Sequence, residues 1–140
     1  MRSYLLTAVC WLLVTVGVPA QSDRLFSLEE VLSAPFPSEL TSAPEGDRLA
    51  WVFNREGSRN IWIAEGPSFR GKPLTDRRGD DGIEISDLAF TPDGSQIVFV
   101  MGGAPNRQGE HPNPTHDPEG RERAIWIIPF SGGDMRKLAE

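Results

Sequence analysis

The chain has 140 residues, with 14 basic and 20 acidic side chains and a formal charge of −6. Such a surface repels phosphate backbones, and no basic cluster interleaved with aromatics relieves it, so nucleic acid is a poor partner. The single cysteine, Cys10, sits inside an apolar leader, which leaves the remainder without a thiol or a disulfide.

Residues 1–20 carry the marks of a secretory signal peptide. Met1-Arg2 gives a basic start, Leu5 to Val18 is almost wholly apolar, and Val18-Pro19-Ala20 offers small residues for cleavage. The apolar run is shorter than the roughly 18–20 residues of a spanning helix. The expected location is therefore exported, periplasmic or extracellular, with no stable membrane anchor after cleavage. Loss of Arg2 leaves 13 basic against 20 acidic side chains, a formal charge of −7.

Residues 21–37 form a lead-in. Ser27-Leu28-Glu29-Glu30 fits a capping box, with Ser27 as N-cap and Glu30 reaching back to its backbone N–H. Leu28, Val31 and Leu32 share a helical face, and Pro35 stops the helix. The expectation is a helix of two turns that lays its apolar side on the strands after it.

From Ser38 a repeat takes over. Ser38-Glu39-Leu40 matches Ser86-Asp87-Leu88, and Ala43-Pro44-Glu45-Gly46-Asp47-Arg48 matches Thr91-Pro92-Asp93-Gly94-Ser95-Gln96, both 48 positions on. Each turn combines the fixed φ of proline, an acidic residue and a glycine free to take positive φ. The strands Leu49 to Phe53 and Ile97 to Met101 come next, then Ile61-Trp62-Ile63-Ala64 and Ile125-Trp126-Ile127-Ile128. Lys72-Pro73-Leu74-Thr75 and Arg136-Lys137-Leu138-Ala139 close the copies. Seven residues separate Phe53 from Ile61, whereas 23 separate Met101 from Ile125, so the offset grows to 64.

Each copy thus holds four short strands with no polar face. Strands covered on one side alternate apolar with polar, and those covered on both do not. The predicted fold is all-β: two four-stranded antiparallel β-propeller blades, residues 38–83 and 84–140, the second with a long hairpin insertion at 102–124. A β-sandwich is the competing architecture, but its outward positions should be polar. Leu49, Trp51 and Phe53 should face one neighbour and Ala50 and Val52 another, with Trp51, Phe53, Trp62, Phe99 and Trp126 in the core. Two such repeats lack neighbours on their flanks, so the chain reads as the front of a longer protein.

The turn Thr91 to Gly94, the strand Ile97 to Val100, Ile125-Trp126 and Gly132-Gly133 resemble the repeat of TolB-like propellers. Val31 to Pro37, Ala50 to Phe53 and Arg59 to Ala64 resemble the N-terminus of secreted bacterial members of the prolyl oligopeptidase family, of the dipeptidyl aminopeptidase and acylaminoacyl peptidase type. Gly102-Gly103, Asn106-Arg107, Gly109-Glu110 and Pro112-Asn113-Pro114 fit the same group. The resemblance implies further blades and a C-terminal α/β-hydrolase domain with a Ser-His-Asp triad acting on short peptides, the propeller gating access. It supplies no catalytic residue here: the elbow G-x-S-x-G is missing from the 140 residues, and Ser131-Gly132-Gly133 lacks the preceding glycine. The alternative is a non-catalytic TolB-like propeller that binds protein partners.

The insertion supplies the candidate site residues. Asn106, Arg107, Glu110, His111, Asn113 and His116 would line a channel mouth or touch the hydrolase domain, as long loops in compact domains tend to be functional. His111-x4-His116 matches no common zinc spacing, and no metal or other cofactor is expected. Glu29-Glu30 is accounted for by helix capping rather than by the paired glutamates with which related dipeptidyl peptidases hold a substrate amine. Asp76, Asp80 and Asp81, with Arg77-Arg78, read as the link between the copies and do not fit a calcium loop. Asn113-Pro114-Thr115 is no glycosylation site, because proline fills its middle position.

Overall fold

The computed structural model describes residues 26–118 and 123–140; the signal-peptide reading of residues 1–20 lies outside them. Helix α1 (Leu28–Leu32) is followed by β1 (Phe36–Ser42), β2 (Arg48–Arg55), β3 (Ser58–Glu65), β4 (Lys72–Pro73), β5 (Ile85–Phe90), β6 (Gln96–Met101), β7 (Ala124–Pro129) and β8 (Arg136–Ala139). The strands make two antiparallel sheets, ordered β1-β2-β3-β4 and β5-β6-β7-β8. Among the described residues the protein is all-β with little helix.

The repeat recurs in three dimensions pair by pair. Trp51 lies opposite Trp62, and Phe99 opposite Trp126; Ala50 pairs with Ile63, and Val98 with Ile127. The closing strands keep step as well, with Trp62 opposite Pro73 and Trp126 opposite Lys137. Even the irregularities repeat. A bulge falls between Ser38 and Thr41 in β1 and between Ser86 and Ala89 in β5, where Glu39 (φ 56°) and Asp87 (φ 54°) take positive φ. The proline turns close alike, through Ala43 N–H donating to the Arg48 carbonyl at 3.0 Å and Thr91 N–H to that of Gln96 at 2.9 Å.

The core lies between the two sheets. Ala50, Val52, Ile61 and Ile63 of the first meet Ile85, Leu88, Ile97, Phe99, Ile128 and Phe130 of the second. Phe99, Ile61, Ile63, Ile97 and Val52 are sealed from solvent, and each contributes about 1.5–3 kcal/mol of burial. Arg48 fastens the sheets together at one end. Its Nη1 donates to the Gly94 carbonyl at 3.1 Å, its Nε meets Glu65 at 2.8 Å, and its guanidinium lies 4.8 Å from the Phe130 ring centre.

The structure corrects four expectations. The capping box of α1 forms in full, Ser27 Oγ accepting from Glu30 N–H and Glu30 from Ser27 N–H. The helix is nevertheless only five residues long, and Leu28, Val31 and Leu32 are exposed, so its apolar side is not laid on the sheets. Strands β2 and β3 extend beyond the expected Leu49 to Phe53 and Ile61 to Ala64 and meet at a two-residue turn, Glu56-Gly57 (φ 51° and 85°). Positive φ at both turn residues matches the strand twist, so Asn54↔Arg59 and Arg55↔Ser58 continue the ladder although they are polar. Phe36 pairs with Asn54 of that extension and Pro37 with Phe53, so the first sheet begins at 36 instead of 38. Of the five aromatics expected in the core only Phe99 is fully buried; Trp51, Phe53, Trp62 and Trp126 are half-buried.

Candidate functional site

In the described part of the long loop between β6 and β7, asparagine side chains organise two turns. Asn106 Oδ1 accepts from the Gln108 and Glu110 N–H groups, while its Nδ2 donates to Glu110 Oε2 at 2.8 Å. Asn113 Oδ1 accepts from Asp117 N–H, and its Nδ2 donates to the Asp117 carbonyl at 2.7 Å. These are asparagine-nucleated turns. The His111 Nδ1 lies 3.4 Å from the Gly103 carbonyl, and His116 sits exposed at a positive φ of 55°. Arg107 is exposed at the tip. The six residues therefore divide between two turns of one surface loop and do not converge on a common centre. Among the described residues no group of three His, Cys, Asp or Glu side chains could hold a metal ion.

A second polar cluster joins the sheets beside the Glu56-Gly57 turn. Asn60 Oδ1 accepts from Arg77 N–H at 2.7 Å and from Thr75 Oγ1 at 2.9 Å, and its Nδ2 donates to the Arg77 carbonyl at 3.0 Å. The Arg77 guanidinium then reaches the Met101 sulfur and pairs with Asp81. Burial works against the charged form of Asp81, but the Ile83 N–H and Arg77 outweigh it and hold the carboxyl below its usual range. Asn60, Thr75 and Arg77, with Phe53, Glu56 and Trp62, edge a surface groove of about 370 Å³. The Asn60 side chain in it anchors the link between the sheets through Thr75 and Arg77.

A third feature is apolar. On the side of the first sheet turned away from the core, Leu49, Trp51, Phe53 and Trp62 are half-buried, with Trp62 5.1 Å from Phe53 and 6.3 Å from Trp51 between ring centres. Leu40 and Phe69 border them, 72% and 46% exposed. On the outward side of the second sheet, Val98 and Val100 are half-buried and Ile125 is 40% exposed, while Ile127 is covered. Each sheet thus has two apolar faces, as the missing polar alternation indicated.

One pair of groups was not evident from the residues. Glu39 Oε2 accepts from the Asp87 backbone N–H at 2.8 Å, joining the bulge of one first strand to the bulge of the next. The signal was present in Ser38-Glu39-Leu40 and Ser86-Asp87-Leu88, an acid at the same place in both copies, but nothing in the residues alone shows the bulge. No protein-family model matches the chain, and no curated protein is similar enough to count as a match.

Proposed function

We propose that this chain is the N-terminal part of an exported serine peptidase of the prolyl oligopeptidase family, its two sheets being successive blades of a propeller. The propeller would admit short peptides to a hydrolase domain encoded beyond residue 140 and exclude folded proteins. The observation that carries the blade reading is the stacking of two copies that agree in register, bulge and turn while each keeps a second apolar face. A sandwich needs no such second face, whereas a ring of stacked blades does. The peptidase half of the proposal rests on the lead-in and loop residues that resemble the family, and the long loop ahead of β7 would face the channel mouth or the hydrolase domain.

The test is to clone the gene through its own stop codon and expose the product to a fluorophosphonate probe. One labelled serine within a G-x-S-x-G elbow, lost on its replacement by alanine, is the expected result. Additional blades with no labelling would overturn the peptidase reading and favour a partner-binding propeller. A stop directly after Glu140 would remove both.

A further inference from the structure

Met101 closes β6 and packs, partly buried, against the core between the two sheets. Its sulfur lies 2.8 Å from the Arg77 guanidinium, whose Nη1 donates to it. That guanidinium is held from several directions. Its Nη2 pairs with Asp81, and Asp81 Oδ1 in turn accepts from the Ile83 N–H at 3.0 Å. The Arg77 backbone is fixed as well, its N–H by Asn60 Oδ1 and its carbonyl by Asn60 Nδ2 and Ser58 Oγ. A thioether is a weak acceptor, so the cation held against it is a stronger donor than the sulfur can use. Both groups belong to the junction of the two sheets, and the contact is independent of what covers their outward sides.

We propose that Met101 is an oxidation site whose sulfoxide is held by the Arg77 guanidinium, so that the junction of the sheets tolerates an oxidant there. With hydrogen peroxide, a sulfur lone pair attacks one peroxide oxygen, the O–O bond breaks and an S–O bond forms. The departing hydroxide takes the proton of the delivered hydroxyl and leaves as water. Sulfur loses two electrons, the peroxide gains them, and methionine sulfoxide reductases restore the thioether. A sulfoxide beside an apolar core ordinarily disrupts it, because a polar group is left there without a donor. Here the donor is in place. The flexible methionine side chain turns the new oxygen towards Nη1, where it receives a charge-assisted hydrogen bond. The ion pair to Asp81 uses Nη2 and is not given up. Met135, 40% exposed ahead of β8, provides the comparison within the same chain. The inference uses only this junction and stands apart from the peptidase reading.

The experiment treats the product of the whole gene with hydrogen peroxide and maps methionine oxidation by peptide mass spectrometry. Backbone hydrogen exchange over residues 75–84 reads the state of the junction. Met135 should oxidise first and Met101 more slowly, since it is partly buried and one N–H occupies a lone pair of its sulfur. Once Met101 is fully oxidised, exchange over 75–84 should stay within about twofold of the reduced protein. In Arg77→Leu the same oxidation should speed that exchange about tenfold, as a polar group left unpaired does. Arg77→Gln, which keeps a neutral donor, replaces it if circular dichroism shows that the leucine variant is unfolded, and should give about threefold. Three results would each overturn the inference: Met101 still reduced when Met135 is fully oxidised, wild-type exchange accelerated beyond about twofold, or an Arg77 variant that responds no more than wild type. None of these would touch the fluorophosphonate result.

Discussion

Asp93 shows how one turn is tied together by a single carboxylate. It accepts from Thr91 Oγ1 at 2.6 Å, from Ser95 Oγ at 2.7 Å and from Ser95 N–H at 3.1 Å. These bonds favour the charged form and lower its pKa to about 2. Because the folded value lies below the unfolded one of about 3.9, the stabilisation is complete above that pH and fades as pH falls through about 2. Asp93→Asn should therefore flatten the melting temperature against pH between about 4 and 2. An unchanged slope would show that the bonds contribute nothing. Next to it, Gly94 combines φ +66° with an Ala43 side chain 3.4 Å from where a Cβ would sit. Gly94→Val should destabilise by about 1–3 kcal/mol, measured by denaturant unfolding. Arg48→Lys should cost about 1–2 kcal/mol, because an ammonium cannot serve Gly94, Glu65 and the Phe130 ring at once.

At the scale of the element, the sheets differ in how their central strands are covered. Phe99 is sealed, whereas its equivalent Trp51 is half-buried on the outward side. Phe99→Ala should cost about 3–5 kcal/mol by the usual penalty for a large core truncation. Trp51→Ala should cost clearly less in the isolated chain, and a guanidinium titration of both variants decides it. Equal losses would mean that the outward side of the first sheet is as well covered as the core. The hairpin turn is equally specific. A Cβ on Gly57 would stand 2.2 Å from Asp80 in a residue at φ +85°, so even alanine is expected to loosen the inter-sheet link here.

For the whole molecule, one continuous core joins the two sheets, and each also turns an apolar side outward. If further repeats cover those sides, a longer chain should melt at a higher temperature than residues 21–140 alone. Equal melting temperatures for the two lengths would argue against such cover.

Much of this was legible in the residues because it depends on local chemistry. The capping box at Ser27 and Glu30, the two proline-glycine turns, the eight strands and the two-step repeat all arise from short-range preferences and from apolar runs without a polar face. The Glu39 and Asp87 bulges, the Asn60 contacts to the 75–77 link and the Arg48 bridge were not legible. Each joins groups from 15 to 82 positions apart whose side chains are ordinary residues until the strands bring them together. The same holds for the extent of β2 and β3, since Asn54 to Arg55 and Ser58 to Arg59 gain strand geometry from each other instead of from propensity. By itself the sequence determined that there are two like units, each apolar on both sides. Which side of one meets which side of the other was decided only by tertiary structure, because either face could exclude water and only packed shapes choose between them.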